Sequence, residues 1–213
     1  MNTTKPLLIF DFDGTLFDSQ PAVISSFQKT LCHFSHPKPS SERLLQLYQK
    51  GYDLATTLKH LCPENTTQEH KLMADHYLTI HLNDLIHLGE WYQDALFTLE
   101  TLKQHYTLII ASNRNQKSLI PIIEHYQISN WFSAVLGTMF GAPFKPCAEK
   151  FKNLLPCDLQ EFPIRAVIGD TMVDYRFAEQ LDCDFIWADY GYGQRPVIMN
   201  HINQLKALIP ILI

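Results

Sequence analysis

Two aspartates, Asp11 and Asp13, stand two residues apart directly after the apolar run Leu7-Leu8-Ile9-Phe10. In an extended backbone, residues i and i+2 point to one side of the chain, so both carboxylates face the same way. Neighbouring carboxylates oppose one another's ionisation. One can then stay ionised as a nucleophile while the other carries a proton as acid and base. Gly14 follows and permits a turn that a Cβ would resist. A solvated turn after a strand also yields D-x-D. The longer run Asp11-Phe12-Asp13-Gly14-Thr15-Leu16, behind an N-terminal apolar strand, favours the chemical reading.

Three further groups close later apolar runs. Thr107–Ala111 ends in Ser112-Asn113, where a hydroxyl and a backbone N–H can bind a phosphoryl oxygen. Lys145-Pro146 follows the run Ala134–Gly137 after a loop and offers a cation for phosphate. Ala166–Gly169 ends in Asp170-Thr171-Met172-Val173-Asp174, with the two acids one helical turn apart. Asp11, Asp13, Asp170 and Asp174 together concentrate negative charge. Buried without compensation, each ion would cost several kcal/mol, on the order of the usual desolvation penalty. A hard divalent cation such as Mg2+ relieves this through carboxylate, carbonyl and water oxygens.

The elements that must position these groups are strands and helices in alternation. Leu7–Phe10 has the pattern of a strand buried on both faces, and Asp184–Ala188 is a fifth strand candidate. Helical spacing separates the later strands: Leu119, Ile122, Ile123 and Tyr126; Phe151, Leu154 and Leu155; Phe177, Ala178 and Leu181. Such alternation predicts a parallel sheet covered on both faces, with ligands bound beyond the carboxyl ends of its strands. Residues 18–90 contain no convincing strand. Val23, Ile24, Phe27 and Leu31 mark one helix, Leu44, Leu45 and Tyr48 a second, Leu54, Ala55, Leu58 and Leu61 a third. The longest begins at the capping-box pattern Thr66-Thr67-Gln68-Glu69. The expected division is an α/β core of residues 1–17 and 91–213, with an α-helical unit at 18–90 placed to act as a lid.

The chain has 213 residues, 46% of them apolar and 18% charged, with a net charge of −5. That composition predicts a soluble globular protein and excludes wholesale disorder. The acidic balance argues against broad nucleic-acid binding, and no apolar stretch reaches membrane-spanning length. No secretory signal is visible at the N-terminus. The five cysteines form no C-x-x-C pair and predict free thiols in a cytoplasmic protein. His76, His81 and His87 do not stack on one helical face, which favours solvated or packed roles. The apolar tail Leu208–Ile213 reads as an end docked on the core.

Taken in order, D-F-D-G-T-L, the strand closing on Ser112-Asn113, Lys145-Pro146 and G-D-T-x-x-D resemble the haloacid dehalogenase-like hydrolase superfamily across residues 7–190. The resemblance implies a Rossmann-like, doubly wound parallel sheet with an inserted small α-helical cap domain. It implies that Asp11 is similar to the nucleophile that forms a phosphoaspartyl intermediate. Asp13 is similar to the general acid/base, whose carbonyl also binds Mg2+. Ser112, with Asn113 beside it, resembles the phosphate-binding pair, and Lys145 the lysine between phosphate and nucleophile. Asp170 and Asp174 resemble the metal-binding acids. Relatives that cleave carbon–halogen bonds lack a second aspartate at Asp13, so phosphoryl transfer is implied.

The run Ala188-Asp189-Tyr190-Gly191-Tyr192-Gly193 looks like the phosphoglycolate phosphatase subgroup, which implies a small phosphorylated metabolite as substrate. The chain departs from the family pattern at Tyr92-Gln93-Asp94, at Cys147-Ala148 and at Leu181-Asp182; these positions carry no catalytic group. A sugar phosphomutase of the same superfamily shares the motifs. A receiver-like phospho-aspartate signalling module shares the residue types, but it is smaller and lacks the helical insert. Candidates for substrate selection are Arg43, Lys50-Gly51-Tyr52 and Lys59 in the insert, and Arg114 beside Ser112-Asn113.

Overall fold

A computed structural model describes residues 5–50, 52–139, 142–196 and 199–213. The chain opens with strand β1 (Leu7–Phe10) and the short β2 (Phe17–Asp18). Four helices follow: α1 (Gln20–His33), α2 (Ser41–Tyr48), α3 (Leu54–Leu61) and α4 (Thr67–Leu88). The short β3 (Glu90–Trp91) leads to α5 (Ala95–Leu102), β4 (Thr107–Asn115), α6 (Gln116–His125) and β5 (Ala134–Thr138). The remainder alternates α7 (Ala148–Leu154), β6 (Ile164–Gly169), α8 (Met172–Leu181), β7 (Asp184–Ala188), β8 (His201–Ile202) and α9 (Leu208–Leu212).

The six-stranded sheet has the order β5-β4-β1-β6-β7-β8, with every pairing parallel. β1 is central, and all four of its side chains are fully buried. Alternation divides them: Leu8 and Phe10 join the core cluster on one face of the sheet, Leu7 and Ile9 the cluster on the other. The expected α/β fold, a doubly wound parallel sheet, is the one observed. β4 runs on through Asn115 rather than stopping at Ala111, so Ser112 and Asn113 lie inside its last stretch. Its register with β5 shifts between Ala111 and Asn115. β8, only two residues long, has no periodicity to detect in the sequence.

The helical insert leaves the sheet after β1 and returns before β4. Val23, Phe27 and Leu31 of α1 pack with Leu44, Leu58, Met73, Ala74 and Tyr77 in a third cluster. α4 starts at the expected capping box, with reciprocal Thr66 and Glu69 bonds. Its far end serves the sheet instead: Leu85 is buried in the core cluster of β1, with Leu82 and Ile86 against it. The chain's two passages are tied together as an antiparallel ribbon, Phe17 opposite Trp91 and Asp18 opposite Glu90. Phe17 stacks on Phe12 at 5.3 Å and meets Trp91 edge-on at 5.4 Å, which anchors the ribbon beside the D-F-D turn. The apolar tail docks through Leu208, and the Tyr106 hydroxyl donates to the Leu212 carbonyl; Ile211 and Ile213 stay exposed. The five cysteines are free.

Candidate active site

The carboxyl ends of β1, β4 and β6 meet at one edge of the sheet, and the chemically able side chains gather there. Asp11 follows β1, and its N–H donates to the Ile168 carbonyl of β6 at 2.9 Å. Gly14 has a φ of 80°, the left-handed region. A Cβ at Gly14 would collide with the Asp170 carboxylate, and one at Gly191 with Asp170 from the other side. Two glycines from distant segments thus allow backbone to close around a buried acid.

Asp11, Asp170 and Asp174 form one buried cluster, with a carboxylate oxygen from each lying within 4.8 Å of the others. Lys145 is the ammonium among them: Nζ donates to Asp11 Oδ1 and to Asp174 Oδ1, each at 2.6 Å. The other Asp174 oxygen accepts from the Thr171 N–H and hydroxyl. Asp170 accepts from the Tyr192 N–H at 2.7 Å and from the Thr15 hydroxyl at 3.3 Å. Burial pushes the Asp11 carboxyl up to about 7, with Lys145 opposing and Asp174 and Asp13 adding to the rise. Asp170 is also held well above the usual carboxylate range, by burial and then by Asp11 and Asp174. Burial works against the charge on Lys145, but Asp11 and Asp174 outweigh it and hold the ammonium more tightly protonated.

Three buried carboxyl groups share one buried ammonium, so ionising all three leaves negative charge unneutralised. All the remaining donors are hard oxygens. A hard divalent cation fits that donor set. Asp11, Asp170 and Asp174 are the side chains that would hold it.

Ser112 is buried at the edge of the cleft, its Oγ accepting from the Arg114 N–H at 3.1 Å. Asn113 also lines the cleft, but its side chain clamps the backbone of Lys145: Nδ2 donates to the Lys145 carbonyl and Oδ1 accepts the Lys145 N–H, both at 3.1 Å. The Asn113 side chain therefore fixes where Lys145 stands. Asp13 turns away from the acidic cluster. Its carboxylate accepts from the Ser19 hydroxyl and from Nε and Nη2 of Arg114. All seven residues singled out by the motifs converge on this edge, and six of them line one cleft, Asp170 lying beneath it.

The helical insert forms the other wall, with Tyr48, Tyr52, Leu54, Tyr77, Leu78 and His81. Arg43, Lys50 and Lys59 are exposed and do not line the cleft, so of the insert's selectivity candidates only Tyr52 faces it; Gly51 lies outside the described residues. His81, expected to be solvated or packed, is fully buried and bonded to Arg114. Nothing in a single sequence pairs residues 81 and 114; the approach of α4 to the end of β4 creates that contact.

The sequence profile of the haloacid dehalogenase-like hydrolase family matches residues 8–188. A phosphoglycolate phosphatase of Aliivibrio fischeri is 28% identical over 217 residues, covering 95% of this chain and 96% of its own. One from Haemophilus influenzae (strain 86-028NP) is 29% identical over 202 residues, covering 91% and 89%. The crystal structure of a predicted phosphoglycolate phosphatase from Haemophilus somnus 129pt superposes with a TM-score of 0.83 at 25% identity, over 99% of both chains. No helix among the described residues is long and apolar enough to cross a membrane. An acidic cluster with its lysine, at the carboxyl edge of a parallel sheet and within the matched span, agrees with these likenesses: the chain belongs to the haloacid dehalogenase-like hydrolase family.

Proposed function

We propose that the protein is a Mg2+-dependent phosphatase that hydrolyses a small phosphomonoester, phosphoglycolate or a close analogue, through a phosphoaspartyl intermediate on Asp11. The observation that carries this reading is the buried Asp11 carboxylate, bonded to Lys145 at 2.6 Å and open to a cleft shared with Asp13 and Ser112. The choice of phosphoglycolate rests on the relatives named phosphoglycolate phosphatase.

In the proposed reaction, an Asp11 oxygen attacks phosphorus as the ester P–O bond breaks, and Asp13 gives its proton to the departing alkoxide. Water then attacks the phosphoaspartate, Asp13 takes a proton from that water, and the Asp11–phosphorus bond breaks to release phosphate. The Ser112 hydroxyl, the Asn113 N–H and the Lys145 ammonium hold the phosphoryl oxygens. Asp11, Asp170, Asp174 and the Asp13 carbonyl would hold the cation, which when bound would offset phosphoryl charge. Both oxygens of Asp174 already accept hydrogen bonds. That supports a role for Asp174 in aiming Lys145.

The helical insert at 18–90 is proposed as a cap that excludes bulk water and restricts the cleft to compact substrates. The ribbon joining its two connections, beside the D-F-D turn, supports that reading. The test is phosphate release from a panel of small phosphomonoesters with Mg2+, with chelator, and with Asp11→Asn protein. Release should require the cation and vanish in the variant; full activity in either control refutes the mechanism.

A further inference from the structure

Arg114 is the least ordinary side chain at the site. It is a guanidinium only 5% exposed, at the end of β4, over the Phe12 ring at 5.8 Å. Its Nε and Nη2 bind Asp13, and Nη1 donates to His81 Nε2 on helix α4 at 2.6 Å. Burial opposes its charge, but Asp13, with Tyr48 and Tyr77, outweighs burial and holds it protonated.

The partner side forms a chain with one direction. A guanidinium can only donate, so His81 Nε2 accepts and the proton of the neutral ring sits on Nδ1. That proton points to Ser26 Oγ at 2.9 Å, and the Ser26 hydroxyl donates in turn to Asp84 Oδ2 at 2.9 Å. Lys29 closes the chain on Asp84 at 2.6 Å. Burial, and then Arg114, hold His81 well below the usual imidazole range, in keeping with the neutral ring. Four residues from α1 and α4 are thus oriented toward one guanidinium.

The cleft lining has two cationic side chains, Arg114 and Lys145. Lys145 is held by Asp11 and Asp174. Nη1 and Nη2 of Arg114 carry two N–H groups each, and each has one partner among the described residues. One N–H on each of Nη1 and Nη2 therefore remains without a partner among the described residues, on a side chain that lines the cleft. A planar carboxylate or a second phosphate can accept from a guanidinium with free N–H groups; an uncharged tail gains no charge-assisted bond there.

We propose that Arg114 determines specificity by binding a second anionic group on the substrate, and that His81 of the insert is a positioning residue that aims it. The proposal rests on the phosphatase reading above and adds to it the residue that separates phosphomonoesters with an anionic tail from those with a neutral one. Arg114 as mere structural neutralisation of Asp13 predicts something else: losing it would harm all substrates alike.

The test uses matched phosphomonoester pairs that differ in a carboxylate against a hydroxymethyl group, phosphoglycolate with 2-hydroxyethyl phosphate among them. Wild-type kcat/KM should favour the carboxylate member by about ten- to hundred-fold, the usual worth of a charge-assisted hydrogen bond, mainly through KM. Arg114→Gln should bring that ratio close to one. His81→Leu should lower it, while His81→Gln, whose amide can accept from Arg114 and donate to Ser26, should retain most of it. A wild-type ratio near one overturns the proposal without any variant. So does an equal loss for both pair members in Arg114→Gln. No phosphate release by the wild type from any member, with Mg2+ present, refutes the phosphatase reading itself.

Discussion

Lys145 sits between two acids at equal distances, 2.6 Å to Asp11 and 2.6 Å to Asp174, with its side chain 4% exposed. Replacing it with an apolar chain of similar length leaves those carboxylates buried and unpaired. Removing one partner of a buried pair typically destabilises by about 3–5 kcal/mol. Lys145→Met should therefore lower unfolding free energy by roughly that amount in chelator, as read by urea denaturation, and should abolish phosphate release. An unchanged denaturation midpoint would show that the lysine does not hold the cluster together. At this scale the sequence was informative where chemistry dictates local spacing: Asp11 with Asp13, and Asp170 with Asp174, are legible because each pair sits within one turn or strand end. The partners of Asp13 were not. Ser19, at the start of α1, and Arg114, at the end of β4, reach it, His81 of α4 bonds Arg114 in turn, and no periodicity joins those positions.

At the scale of elements, local signals and tertiary packing share the work. Thr66 and Glu69 satisfy each other's backbone donors at the start of α4, a pattern the sequence alone predicts. Thr66→Ala should cost about 1 kcal/mol of stability by thermal or urea melts, with kcat and KM unaltered. A changed KM would mean that the far end of α4 communicates with the cleft. The strands were legible because β1 is apolar at every position, as a central parallel strand requires. The extension of β4 beyond Ala111 was not. Ser-Asn-Arg-Asn reads as a loop or helix cap, and only pairing with β5, restored at Asn115 with Thr138, makes it strand. The short ribbon of β2 and β3 is likewise a product of two chain passages meeting, each too brief to carry a pattern.

For the whole molecule, the acidic cluster couples stability to pH and to cation. In the folded chain the Asp11 pKa is raised from 3.8 to about 7. The folded state thus keeps a proton that the unfolded chain has lost, so this group's contribution is fully present below 3.8 and disappears as pH rises to about 7. Asp170 shifts in the same direction. In chelator, the Tm contribution of the site should fall between pH 5 and pH 8. Because ligand carboxylates must be deprotonated, Mg2+ should raise Tm more at pH 8 than at pH 5. Equal cation-induced shifts at both values, or none, would separate the cluster from metal binding. The parallel sheet follows from alternating segments that any reader of the sequence can find. The way the insert is seated, with α4 shared between its own core and that of the sheet, depends on contacts over long separations.

Asp11 is proposed as the residue that takes the phosphoryl group. Acid-quenched protein, sampled during turnover of phosphoglycolate with Mg2+ and digested for mass spectrometry, reads this directly. A phosphoryl adduct is expected on the peptide containing Asp11, absent in chelator and absent in Asp11→Asn. Turnover by Asp11→Asn at the wild-type rate, or an adduct located on another residue, would contradict that role.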